Sequence, residues 1–176
     1  MFGKILVCLD GSTFAERILP YASSEALKFK SEITLLSVVT TDIPMYALPN
    51  IEATRFVPYS LFASEIVERE VRLRSYLEDI ATRLIEKGLD ARWVTVQGRA
   101  ADIGQIVADY ALGNAYDLIA MATHGRKWLM RLILGSVTDA VTRKSSLPVL
   151  AIKPSAAVST EDDAFEGATD LSLSAN

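Results

Sequence analysis

The sequence predicts an α/β domain with a Rossmann-like architecture: an open sheet of five parallel strands with helices on both faces. Five short apolar segments are typical of buried strands and are too short for helices. Segments with helical periodicity separate them, so each connection is expected to cross over the sheet and return the chain in parallel. Half of the residues are hydrophobic, which is enough for a sizeable core.

The first two strands and the helix between them form the first crossover unit. Residues 4–10 are apolar on both faces, which is typical of a central parallel strand. Thr13 and Glu16 have the spacing of a capping box, and the helix that they begin is predicted to reach about residue 30. Pro20 lies inside that helix and should bend it, because it removes a bond to the Glu16 carbonyl. Residues 32–39 are rich in β-branched side chains and form the second strand.

The middle of the chain combines a long loop, a long helix and an edge strand. Residues 40–59 contain three prolines and are expected to be a loop that either covers a ligand or packs on the next helix, the latter being favoured. Residues 60–87 form an amphipathic helix that Gly88 ends. Residues 91–96 have the mixed polarity of an edge strand, and a helix over 102–112 follows.

The last two strands flank a second loop and helix. Residues 117–122 and 148–152 are predicted to be strands four and five. Between them, Ser136 and Asp139 have the spacing of a capping box at the start of a helix over 137–144.

Composition bounds the compartment and the partners. The net charge is −4, and the segment after Lys153 carries five acidic and no basic residues. We therefore expect a domain over 1–153, a flexible acidic tail over 154–176 and no nucleic-acid partner. No apolar run is long enough to span a membrane, and no signal peptide is recognised. The single cysteine, Cys8, excludes an internal disulfide and suits a reducing, cytoplasmic location.

The loop after the fourth strand is the strongest functional signal. Two residues separate Ala122 from Gly125, nine separate Gly125 from Gly135, and Ser136 follows at once. A strand, a glycine-containing loop and a helix N-terminus together favour an anion, because free amides and the helix dipole face it. Four side chains with potential positive charge lie in this loop: His124, Arg126, Lys127 and Arg131. The alternative is a plain strand-to-helix connection.

Asp10 follows the first strand at the edge where open α/β sheets bind ligands. Its carboxylate would repel phosphate, but it could accept bonds from ribose hydroxyls or share a metal ion with phosphates. The alternative is that Asp10 only shapes the turn before Thr13.

These two segments resemble the signatures of the universal stress protein family. The loop resembles its glycine, two residues, glycine, nine residues, glycine and serine pattern, with Ala122 in place of the first glycine. Because Ala122 closes a strand, where φ is negative, its methyl group is expected to be tolerated. The N-terminal stretch Leu9-Asp10-Gly11-Ser12 also matches a family signature.

The resemblance implies a strand order of 3-2-1-4-5, which would bring Asp10 and the glycine loop to one crevice. It also implies ATP, with or without Mg²⁺, as the ligand, and a backbone contact from Val38 to adenine. The implied nucleotide contacts are Cys8, Asp10, Val38, Met121, Ala122, His124, Gly125, Arg126, Gly135, Ser136 and Val137.

The family resemblance further implies a homodimer through the apolar edge strand over 147–152. The favoured function is a dimeric, ATP-binding stress-response or signalling module whose ATP hydrolysis is absent or slow, because His124 is the only base near the predicted phosphates. Two alternatives remain: a dimeric interaction scaffold that binds no nucleotide, which Ala122 and Trp128 would favour, and a slow nucleotide hydrolase that uses His124 or a metal-bound water.

Overall fold

The computed structural model of the protein describes residues 2–42, 59–123 and 135–153, with side chains in the long helix described from residue 63 onward. The strands are β1 (Lys4–Cys8), β2 (Glu32–Thr40), β3 (Asp90–Gly98), β4 (Leu118–Ala122) and β5 (Val149–Ile152). The helices are α1 (Thr13–Glu16), α2 (Leu19–Phe29), α3 (Tyr59–Glu86), α4 (Ile103–Gly113) and α5 (Ser136–Lys144), with a 3-10 turn at Ala100–Asp102 before α4.

The five strands form one parallel sheet in the order β3-β2-β1-β4-β5, which confirms the predicted fold class and strand order. β3 lies at one edge, as its mixed polarity predicted. The order reverses at β1, since β2 pairs on one side of it and β4 on the other. The carboxyl ends of β1 and β4 are therefore neighbours at the position where open α/β sheets bind ligands.

Two apolar layers hold the helices against the sheet. Alternate residues of the strands, such as Val7 and Leu35, pack with α2 and α3 on one face. The intervening residues, such as Leu6 and Leu36, pack with α4 and α5 on the other face. Because β1 is covered on both faces, it has the continuous apolar sequence that the central strand needs.

The predicted helix over 13–30 is wrong in one respect, because the chain forms two helices there. α1 ends at Glu16, and α2 starts at Leu19 with Pro20 in its first turn. A proline is tolerated in the first turn, where its missing N–H would have no intrahelical acceptor. Pro20 therefore marks the start of a helix and does not bend one.

The first strand also ends earlier than predicted. β1 stops at Cys8, and the Leu9 amide makes one more bond, to the Leu36 carbonyl at 2.9 Å. The chain then leaves the sheet through Gly11, whose φ of 79° is a conformation that glycine adopts without strain. Asp10 therefore stands just past the end of the strand.

Candidate functional site

The crevice is set by the neighbouring carboxyl ends of β1 and β4. Cys8 is paired with Met121 in the parallel register, so the Asp10 turn and the segment after Ala122 leave the sheet side by side at the carboxyl ends of the strands. The adjacency that the strand order implied is thus present, although Asp10 and Gly135 are more than a hundred residues apart in the sequence.

Asp10 shapes the turn at the entrance to α1. Its Oδ1 accepts hydrogen bonds from the Ser12 amide at 3.0 Å and from the Ser12 hydroxyl at 2.5 Å. The turn-shaping role of Asp10 is therefore confirmed, whereas its ligand role stays a prediction. The two roles are compatible, because a carboxylate has about four lone-pair positions.

Ser12 caps α1, which corrects the prediction that Thr13 and Glu16 do so. The Ser12 hydroxyl oxygen accepts from the Ala15 amide at 3.2 Å, and Thr13 is already the first helical residue. The side-chain oxygen at this helix start is thus engaged with the helix itself.

The start of α5 also differs from the prediction by one residue. Gly135 is the N-cap and Ser136 the first helical residue, and no side chain among the described residues caps this helix. The first bond inside the helix runs from the Asp139 amide to the Gly135 carbonyl at 2.9 Å. The amides of Ser136 and Val137 lie before it and have no acceptor within the helix.

The Gly135 amide, which was predicted to contact the nucleotide, makes a hydrogen bond within the protein. It donates to the carbonyl of Thr123, the residue directly after β4, at 2.6 Å. A second bond, from the buried Thr138 hydroxyl to the Ala122 carbonyl at 3.2 Å, joins the same two segments. Together they fix the α5 N-terminus to the end of β4. Sequence reasoning missed Thr123 and Thr138, since neither belongs to a spacing pattern.

Ala122 lies in an ordinary strand conformation, as expected. It is the last residue of β4, and it is not among the non-glycine residues with positive φ. The backbone at this position therefore does not require the glycine that the family signature has there.

Gly104 is a further residue that the sequence analysis did not single out. A methyl group placed on its Cα would lie 2.4 Å from the Ala140 Cβ, so α4 and α5 touch closely there. The contact with α4 thus also holds α5, the helix that begins at Ser136.

Val38 lies two residues from the end of β2 and is half-buried on the face that α4 and α5 cover. It pairs with Val96 of β3 in the register, whereas the pairing with β1 ends at Leu36 and Cys8.

Two titratable groups near the crevice remain protonated at neutral pH. Burial raises the pKa of Cys8 to about 12, which disfavours the thiolate form that a nucleophile needs. Burial, followed by the nearby Glu16 and Asp10 carboxylates, raises the pKa of Tyr76.

The remaining predicted contacts, His124, Gly125 and Arg126, lie outside the described residues, as do Lys127, Trp128, the loop over 43–58 and the tail. Within the described ranges, no group of three or more potential metal-ligating side chains was found. The helices there include none that is long and apolar enough to cross a membrane.

An open parallel sheet with a helix N-terminus fixed at its switch point defines a Rossmann-like class of ligand-binding α/β proteins. The sequence profile described as "Universal stress protein family" matches residues 1–153. The chain therefore belongs to the universal stress protein family.

Three similar proteins illustrate the relationship. Universal stress protein YxiE of Bacillus subtilis is 29% identical over 160 residues, which cover 87% of this chain and 100% of that protein. The solved structure of MJ0577, a protein of Methanocaldococcus jannaschii, has a TM-score of 0.71 at 26% identity and covers 89% of this chain and 99% of that one. A universal stress protein from Archaeoglobus fulgidus, solved in complex with dAMP, has a TM-score of 0.57 at 20% identity and covers 85% and 97%; it shows the shared fold.

Proposed function

We propose that this protein binds an adenine nucleotide, ATP with Mg²⁺, in the crevice between the Asp10 turn and the N-terminus of α5. One observation carries the proposal: the 2.6 Å bond from Gly135 to Thr123 fixes an α5 helix start, uncapped by described side chains, at the sheet's switch point. The dAMP complex of the Archaeoglobus fulgidus relative supports an adenine nucleotide as the ligand class.

The triphosphate would be held by the first amides of α5. Ser136 and Val137 supply N–H groups without intrahelical acceptors, and the helix dipole adds positive potential. Gly135 would contribute through its cap conformation, because its own amide donates to Thr123. We further propose that Gly125, His124 and Arg126 contact the phosphates, and that Met121 and Ala122 form the floor of the crevice.

Asp10 would serve the ribose or the metal ion. Mg²⁺ prefers oxygen ligands and usually takes one or two carboxylates together with phosphate oxygens. The Asp10 carboxylate and the Ser136 hydroxyl supply oxygen ligands of that kind, so these residues fit a nucleotide-bound Mg²⁺. The magnesium would supply charge neutralisation of the phosphates.

At the other end of the crevice, the backbone of Val38 would read the base, and Cys8 would line the floor beside it. Both are partly buried on the α4 and α5 face. A protonated thiol with a pKa of about 12 is an apolar contact for a ligand and not a reactive group.

We propose that hydrolysis is absent or slow. An in-line water needs a base to accept its proton. Asp10 Oδ1 already accepts two bonds from Ser12, and the thiol of Cys8 stays protonated. A His124→Ala variant tests the hydrolase alternative: loss of measured phosphate release would favour it, and an unchanged background rate would exclude it.

The proposed assembly is a homodimer through β5, in the cytoplasm, acting in stress response or signalling. β5 lies at the edge of the sheet next to β4. The carbonyls of Pro148 and Ile152 point to β4. Because backbone groups alternate in direction along a strand, the N–H and C=O groups of the odd-numbered residues of β5 point away from β4. Within the described part of the chain no strand pairs with this apolar edge, and such an edge suits pairing with a second copy across a two-fold axis.

The decisive experiment compares two substitutions at Ser136. Ser136→Pro removes the amide but suits the first helical position, and Gly135 already has the extended conformation (φ −66°, ψ 153°) that a residue before proline prefers. Ser136→Ala keeps the amide and removes the hydroxyl. Calorimetry with ATP and Mg²⁺ should show a ten- to hundredfold loss for Ser136→Pro, as expected for a bond to a charged group, and a smaller loss for Ser136→Ala.

Equal affinity of wild type and Ser136→Pro would refute the phosphate site. Absence of both co-purified nucleotide, by mass spectrometry, and ATP binding at millimolar concentration would favour the scaffold alternative.

A further inference from the structure

Arg69 of α3 reaches over the carboxyl end of β2 and binds its last residue. Its Nη1 donates to the Thr40 carbonyl at 2.7 Å and to the Thr40 hydroxyl at 2.8 Å. Arg69 is half-buried, and both bonds are charge-assisted. No prediction from the sequence assigns Arg69 a role, because it lies within a run of charged residues typical of a solvated helix face.

The direction of the Thr40 carbonyl places Arg69 relative to the crevice. In a parallel ladder, the backbone groups of alternate residues point to the same neighbouring strand. The Leu36 carbonyl points to β1, where it accepts from Leu9 at 2.9 Å. Val38 and Thr40 therefore also point to the β1 side. Thr41 points the other way, and its amide donates to Gly98 of β3 at 2.9 Å.

β1 ends before it reaches the level of Val38 and Thr40 in β2. The pairing register ends at Cys8 and Leu36, and the chain turns away through Gly11. Beyond that point the pairing of the described residues gives Val38 no partner on the β1 side, so its amide and carbonyl point toward the crevice. Arg69 occupies the same side two residues further on, about 7 Å along the strand. At Thr40, the Arg69 guanidinium therefore supplies the hydrogen-bond donor that a neighbouring strand would otherwise supply.

We propose that Arg69 is a positioning residue for the nucleotide base, an inference that rests on the proposed function. It engages the Thr40 carbonyl, so Val38 remains the backbone donor–acceptor pair that a base edge can meet. It also fixes the end of β2 beyond the last residue that pairs with β1. The recognised group is a heterocyclic base with an acceptor nitrogen beside an amino group, as in adenine.

The experiment compares Arg69→Met with Arg72→Met. Arg72 is on the same helix, three residues on, but its side chain is 70% exposed and forms an ion pair with Glu68 at 3.5 Å. Calorimetry measures the affinity of each variant for two probes, ATP and inorganic tripolyphosphate, both with Mg²⁺. Arg69→Met should weaken ATP binding about tenfold and leave tripolyphosphate binding unchanged, because only the base end is altered. Arg72→Met should change neither affinity.

Two further readouts separate positioning from a general loss of stability. Arg69→Lys can still donate to Thr40 and should recover part of the ATP affinity. Exchange of the Thr41 amide, which donates to Gly98, should accelerate in Arg69→Met while exchange in β4 stays at the wild-type rate. Should Arg69→Met fail to fold, Thr40→Val removes only the hydroxyl acceptor and tests the same contact more mildly.

The outcomes distinguish this inference from the proposed function. Wild-type protein that binds neither ATP nor tripolyphosphate overturns both. Wild-type protein that binds ATP, with an Arg69→Met variant that binds it equally well, overturns the role of Arg69 alone. An equal loss for both probes in Arg69→Met also overturns it, because the effect would then be global.

Discussion

The contact between Gly104 and Ala140 offers a quantitative test of how the α5 N-terminus is held. Gly104→Ala places a methyl carbon 2.4 Å from the Ala140 Cβ and 3.3 Å from its carbonyl carbon. Non-bonded carbon atoms rest at about 3.5–4.0 Å, so α5 must move away from α4 by roughly 1 Å or more. The helix that moves is the one that begins at Ser136.

Two opposing free energies decide the sign of the effect. Alanine favours a helix over glycine by up to about 1 kcal/mol, whereas overpacking a close contact costs about 1–3 kcal/mol. We expect Gly104→Ala to lower the free energy of unfolding by about 1 kcal/mol. Gly113→Ala is the matched control, because it lies on the same helix and the added methyl group would meet no described atom of another element within 4 Å. That control should be neutral or slightly stabilising.

Urea unfolding of four proteins measures the contact: wild type, Gly104→Ala, Ala140→Gly and the double variant. Moving the methyl group from one helix to the other should restore the fit, which gives a coupling of about 1–3 kcal/mol. ATP affinity should fall in Gly104→Ala and recover in the double variant, since the first turn of α5 returns to its place. A Gly104→Ala protein as stable as Gly113→Ala, or a double variant without recovery, would refute the reasoning.

Three more predictions concern the edge strand, the cysteine and the carboxylate. Ala151→Pro removes an outward N–H and should give folded monomers by sedimentation, whereas Leu150→Pro removes an N–H on the β4 side and should destabilise the fold; an unchanged dimer in Ala151→Pro would exclude pairing through β5. The folded Cys8 thiol has a pKa of about 12 against 9.0 for the ordinary value. Its contribution to stability is therefore complete below pH 9 and is lost as the pH rises towards 12, by up to about 1.4 kcal/mol per unit, and Cys8→Ala should flatten that slope in urea unfolding. Asp10→Asn keeps the Oδ1 acceptor of the turn and should preserve the melting temperature, but it should weaken Mg²⁺-dependent ATP binding about tenfold in calorimetry; equal affinity would exclude the charge of Asp10 from the site.

Apolar periodicity was sufficient to predict the strands and the long helix, because it records which faces of each element are buried. The continuous apolar run of β1 and the mixed run of β3 predicted a central and an edge position, and both are confirmed. Periodicity failed at Pro20, because the apolar positions before and after it continue one helical face while the chain between them breaks. The interruption is a property of the backbone N–H, which an apolar pattern does not record.

The candidate site was predictable where it depends on residue type and spacing, and not where it depends on how elements meet. Asp10 and Ser136 were identifiable because both lie at boundaries of elements. Gly104 is informative only after α4 and α5 cross. Arg69 is informative only after β2 is seen to extend beyond β1, since its charge alone resembles that of its solvated neighbours.

The one-residue shift in both predicted caps makes α5, and not α1, the helix start that suits the proposed phosphate. At α1 the cap is Ser12, whose hydroxyl accepts from Ala15 and donates to Asp10, so the start of this four-residue helix is closed by the chain's own side chains. At α5 the cap is Gly135, which has no side chain, and its amide is turned back to Thr123. Had Ser136 been the cap, its oxygen would have accepted from an amide of the first turn, as serine does at the N-cap. With glycine in that position, no described side chain occupies the first amides of α5, which supports the anion site proposed at the switch point.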